Sequence, residues 1–118
     1  ERALRDELPP FTRSGLERAF LALLDGAGLP LPRCNEYVWD GEKVVEVDFV
    51  WRDAGVVVET DGSRYHSTRW RRRKDAEKTA KLRNAGWTVH RVWDAELEGT
   101  PGAVVAQLTA TLGLRTYE

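Results

Sequence analysis

The chain has no methionine, one cysteine and two histidines among its 118 residues. A single cysteine, Cys34, excludes an internal disulfide and a cysteine-based zinc site. No apolar run approaches the roughly 18 residues that a membrane-spanning helix needs, and no secretory signal pattern opens the chain. Together these absences predict a cytoplasmic protein with no membrane partner and no small-molecule cofactor. The start at Glu1 and the lack of methionine read as a piece of a longer protein, with room for an upstream domain.

Charge of one sign is also missing overall: the formal net charge is −1. It is, however, segregated. Residues 64 to 83 hold nine basic groups against Asp75 and Glu77, a local balance of +7, so the other 98 residues sum to −8. A local basic surface is enough for phosphate contacts, and nucleic acid stays open as a partner. A composition 42% hydrophobic and 31% charged fits one globular domain with one core.

The polar residues 1–11, ending in Pro9-Pro10, read as a linker or arm. The single domain then covers 12–118. Thr12 or Ser14 can cap a helix in which Leu16, Phe20, Leu23, Leu24 and Ala27 recur at helical spacing. Leu29-Pro30-Leu31-Pro32 is an extended connector. Strands are expected over 35–39, 44–51 and 56–61, with Asp40-Gly41 turning between the first two. A long helix spans 68–85 and is closed by Gly86. Residues 87–93 alternate as a fourth strand, and Pro101 starts a last helix. The order α-β-β-β-α-β-α predicts an α/β class fold, a four-stranded mixed sheet flanked by helices.

Against that background stand four carboxylates where strands disfavour them: Glu46 and Asp48 on strand two, Glu59 and Asp61 on strand three. A hairpin loop of two residues (53–54) or of four (52–55) gives the same register. Either one sets Asp48 opposite Glu59 and Glu46 opposite Asp61, all on one face. The other face then takes Val45, Val47, Phe49 and Trp51 with Val56 and Val58. Opposed Cβ atoms about 5 Å apart suit two carboxylates sharing one Mg²⁺. The competing reading is a solvated acidic face. Val56-Val57-Val58 before Glu59 argues against it, because the run predicts burial on both faces, and buried like charges without a cation are costly.

Other residues carry two readings each. His66, four residues past Gly62, is either a general base for a water near the carboxylates or a structural histidine. His90 belongs to the strand pattern. Glu17 closes a capping box begun by Ser14. Arg64, Arg69, Arg71, Arg72, Arg73 and Lys74 are either a solvated helix start or a phosphodiester-binding surface beside the acids. Trp70 could stack on a base, although its spacing favours the core.

In this order and spacing the residues resemble a known family. Thr12-Arg13-Ser14-Gly15-Leu16-Glu17, Val47-Asp48-Phe49-Val50-Trp51, Val58-Glu59-Thr60-Asp61-Gly62 and Tyr65-His66 form the first part of the match. Asp75, Leu82, Gly86-Trp87 and Arg91-Val92-Trp93 complete it. The pattern is similar to the very-short-patch-repair endonuclease-like branch of the PD-(D/E)XK nucleases, in particular the DUF559 group. The resemblance implies a restriction-endonuclease-like core and an endonuclease that hydrolyses DNA with Mg²⁺ or Mn²⁺. It implies Asp48 and Glu59 as metal ligands, Glu17 and Asp61 near the metal, and His66 as a catalytic histidine. Asp61 departs from the pattern, standing where many members have lysine; His66, Arg73 and Lys74 are the candidates to replace that amine. The zinc site of the repair endonucleases cannot be rebuilt from Cys34 alone, so mismatch-specific nicking does not carry over. A nuclease fold that has lost catalysis and binds DNA or a protein is the alternative. Monomer and homodimer are both left open.

Overall fold

The computed structural model describes residues 13–62 and 68–114. The element order is α1 (Arg13–Gly26), β1 (Arg33–Trp39), β2 (Val44–Trp51), β3 (Val56–Asp61), α2 (Arg69–Asn84), β4 (Thr88–Trp93), α3 (Asp94–Gly99) and α4 (Pro101–Thr111). The expected order holds, with one addition, the short helix α3. The expected arm at 1–11 lies outside the described residues.

The four strands form one sheet in the order β1-β2-β3-β4. β1, β2 and β3 are antiparallel neighbours, and β4 returns parallel to β3. The α2 crossover supplies the length that a parallel connection needs. Asp40 makes the first turn: its Oδ1 accepts the N–H groups of Glu42 and Lys43, both at 2.8 Å. Those bonds hold its carboxyl below the usual carboxylate range. Gly55, at φ +69°, ends the four-residue loop between Trp51 and Val56, which pair. The left-handed conformation there suits a residue without Cβ.

Helices cover both faces. On one, Phe20 and Leu24 of α1 and Val104 and Leu108 of α4 pack on Phe49, Trp51, Val56, Val58 and Val92. The rings of Phe20 and Phe49 lie 4.8 Å apart and tilted. On the other, Leu82 of α2 packs on Val38, Val47, Val50, Val57 and Val89. β3 is therefore the buried centre that its valine run predicted. Trp51 Nε1 donates to the Pro30 carbonyl at 2.9 Å, pinning the connector to the sheet.

Two expectations are corrected. Val45 and Val47 join the α2 face, not the Phe49–Trp51 face, so side-chain alternation breaks between Val47 and Phe49. Asn35, opposite Asp48 in the β1–β2 register, takes φ +53°, a left-handed conformation that asparagine tolerates. Trp70 is not core: it is 63% exposed, with the Lys74 ammonium 5.7 Å from its ring centre.

Candidate active site

Because β3 alternates, Val57, Glu59 and Asp61 point toward α2 while Val56 and Val58 point away. The break in β2 leaves Asp48 lining the same cavity as Glu59 and Asp61. It also sends Glu46 outward, where it is exposed and pairs across to Tyr37 of β1. Three of the four strand carboxylates thus line one cavity; the expected single face of four is not formed, because Glu46 stands apart. All three are nearly buried, at 9% exposure for Asp48, 8% for Glu59 and 4% for Asp61.

The β2–β3 ladder runs from Trp51–Val56 through Val50–Val57 to Phe49–Val58 and ends there, with Asp48 and Glu59 next in line on the two strands. Here the side chains enter the backbone bonding. Glu59 Oε2 accepts the Asp48 N–H at 2.7 Å. Asp48 Oδ2 accepts the Thr60 N–H at 2.9 Å and its hydroxyl at 3.1 Å. Both carboxylates are therefore fixed by main-chain bonds, and neither swings freely. Burial first, then the Asp48 charge, pushes Glu59 above its ordinary carboxylate range, against an opposing pull from Lys78.

Two cations reach this face. Lys78 Nζ, on α2, donates to Glu59 Oε1 at 2.7 Å. Arg91, on β4, holds Asp61: its Nη2 donates to Oδ1 at 2.9 Å, and its Nε lies 2.8 Å from Oδ2 as an ion-pair contact without hydrogen-bond geometry. Its Nη1 donates to the Thr79 hydroxyl at 2.9 Å, and its Nη2 lies 3.5 Å from Asp75. A hydrogen bond between two charged partners is stronger than a neutral one. Asp61 is thereby the anchor of an arginine, a role that its sequence position did not reveal.

Asp48, Glu59, Thr60, Asp61, Lys78 and Arg91 line one cavity of about 390 Å³. Of the basic run, Arg71 reaches its wall; Arg69, Arg72, Arg73 and Lys74 are exposed on the first turns of α2. The Thr68 hydroxyl caps that helix by accepting the Arg71 N–H. From α1 the cavity lining takes Leu16; the charge of Glu17 is felt at Cys34. His66 and Arg64 lie outside the described residues. His90 is a strand residue whose Nε2 meets the Thr111 hydroxyl at 2.8 Å.

Sequence reading missed Lys78 and the Arg91–Asp61 pair. A signal for the first was present: Asp75, Lys78 and Leu82 share one helical face, and Leu82 is the residue of α2 that enters the core.

A divalent ion fits this donor set. Mg²⁺ is commonly held by one or two carboxylates with water and phosphate oxygens completing its shell. Asp48 and Glu59 supply two carboxylates in a site whose mutual repulsion favours a cation. Among the described residues, no three acidic, histidine or cysteine side chains converge into a ready-made metal cage.

The comparisons with known proteins now decide the family. The REase_MTES_1575 model, of a restriction-endonuclease-like family, matches residues 33–112. The chain belongs to that family. The match takes in β1 through α4, and with them the Asp48–Glu59 pair, Lys78 and Arg91. Two curated relatives from Mycobacterium tuberculosis are each 29% identical over 112 residues: the uncharacterized proteins MT2308 (strain CDC 1551 / Oshkosh) and Rv2248 (strain H37Rv). The aligned region is 90% of this chain and 41% of each relative, so the chain spans well under half of their length. No solved structure matches. The family's restriction-endonuclease-like fold agrees with the mixed sheet described above. No described helix is long and apolar enough to cross a membrane.

Proposed function

We propose that this domain is a Mg²⁺- or Mn²⁺-dependent DNA endonuclease centred on Asp48 and Glu59. The observation that carries the reading is this pair of nearly buried carboxylates, locked to the β2–β3 backbone inside a cavity that also holds two cationic side chains. The two carboxylates would hold the ion. When bound, such an ion supplies charge stabilisation and a more acidic water.

The chain's own groups do the rest. Lys78 brings to Glu59 the ammonium that the residue-61 position lacks, and so presents positive charge beside the phosphate. Arg71 binds the flanking backbone. Arg91 and Asp61 neutralise each other and hold β3, β4 and α2 in register. His66 is assigned proton acceptance from the attacking water on sequence alone. Glu17 is assigned a supporting place at the edge of the site on the same ground. Placement in the very-short-patch-repair-like branch is likewise proposed from the Asp48, Glu59 and Tyr65-His66 motifs.

One observation favours a second reading, a DNA- or protein-binding module without catalysis: Glu59 already has a cation in Lys78. Calorimetry separates the two. The endonuclease reading expects Mn²⁺ binding by wild type and its loss in Asp48→Asn. Absence of Mn²⁺ binding, together with salt-sensitive DNA binding, would establish the second reading.

A further inference from the structure

A second cavity, also about 390 Å³, runs along the opposite flank of α2. Its floor is the small side chains Ala76, Thr79 and Ala80, with Arg72 and Arg83 toward its ends. Eleven residues of helix set those two arginines roughly 16 Å apart. The far wall is Trp93 on β4, which is 37% exposed. Among the described residues β4 is an edge strand, and none of their strands closes this side.

This groove is not separate from the acidic cavity, because Asp75 and Arg91 line both. A strand lying across the acids would pass that shared wall and enter the groove. The lining suits a nucleotide: an aromatic face and an alanine floor for a base, with guanidinium groups for phosphate. Ala76 and Ala80 are exposed on a helix whose mean composition is strongly polar, which leaves the trough open.

We propose that this groove seats the base of a nucleotide flanking the cleaved phosphodiester, against Trp93 and the alanine floor. The proposal rests on the endonuclease reading above. It extends that reading from the ion and the phosphate to contact with a base.

The test is fluorescence anisotropy with short single-stranded DNA in the absence of divalent ions, comparing intact strands with strands carrying abasic positions. Wild type should prefer the intact strand by roughly tenfold, the size of one stacking contact. Ala80→Phe, which fills the trough from an exposed position, should bind the intact strand about tenfold more weakly and lose the preference. Arg72→Glu should weaken binding to both strands alike. Mn²⁺ calorimetry on Ala80→Phe should match wild type. The inference is overturned if Ala80→Phe binds like wild type, or if wild type never distinguishes abasic from intact DNA. In either case, retained Mn²⁺ binding and DNA nicking would leave the endonuclease reading standing. Absence of DNA binding by wild type would overturn both.

Discussion

Replacing Lys78 by methionine keeps the length of the side chain and removes its charge, leaving Glu59 Oε1 without the ammonium that now sits 2.7 Å away. At that separation the attraction is about 6 kcal/mol for an effective dielectric near 20. Most of it is offset by the desolvation of the two groups. A hydrogen bond to a charged partner nets about 1.5–3 kcal/mol. Lys78 is 28% exposed, which screens the pair and puts the expected loss near 2 kcal/mol. For a domain of this size that corresponds to a fall in Tm of about 8 °C at pH 7. The loss should depend on pH. Glu59 is already raised above the ordinary range by burial and by Asp48, and removing Lys78 raises it further. Folded protein then keeps a proton that the unfolded chain releases, so the variant loses stability as pH rises through that window. Below the ordinary carboxylate range both proteins are protonated at Glu59, and the difference should vanish. Thermal melts followed by circular dichroism at pH 4 and pH 7, without divalent ions, read this directly. Equal melting temperatures at pH 7, or a deficit of the same size at both pH values, would refute the coupling of Lys78 to Glu59.

Other perturbations have definite signs. Arg91→Lys keeps the charge but cannot contact both Asp61 oxygens; a loss of about 2–3 kcal/mol is expected in urea unfolding, and a wild-type midpoint would contradict it. Glu59→Gln removes the raised carboxyl, so the fall in metal-free Tm as pH rises above the ordinary carboxylate range should flatten relative to wild type; an unchanged slope would assign that fall to other groups. His90 has the opposite sign: burial, then Arg83, lowers its pKa, so its contribution to stability is present above the ordinary histidine range and lost as pH falls through it. His90→Asn should remove that acid-side loss in the same melts.

The register of the acidic hairpin was legible because two loop lengths lead to one pairing, and the pairs from Phe49–Val58 to Trp51–Val56 follow it. The burial of β3 was legible from three successive valines. What sequence period could not show was the break between Val47 and Phe49, which takes Glu46 out of the cluster and moves Val45 and Val47 to the other layer. An alternation rule assumes an unbroken strand, and a single left-handed residue in the neighbouring strand, Asn35, is a local event that no period encodes. α2 was misread for a related reason. The spacing of Trp70 favoured the core, yet Trp70 is exposed, as are Ala76 and Ala80, and the sheet-facing side carries Thr79, Leu82 and the long stem of Lys78. Lysine can bury its methylenes while its ammonium meets a carboxylate, and composition alone does not register that. The pairing of Asp61 with Arg91 joins residues thirty positions apart across a parallel crossover, beyond the reach of local spacing.

The central claim is that Asp48 and Glu59 form a cation-dependent phosphodiesterase centre. Asp48→Ala is a poor probe, because it would strip the Thr60 N–H of its acceptor at a cost of about 1–3 kcal/mol. Asp48→Asn keeps an oxygen in place and removes the charge. Nicking of supercoiled plasmid with Mn²⁺ or Mg²⁺, by wild type and by Asp48→Asn of matched thermal stability, is therefore the decisive measurement. Ion-dependent nicking by wild type and its loss in the variant is the predicted result; equal nicking by the two proteins would contradict the assignment.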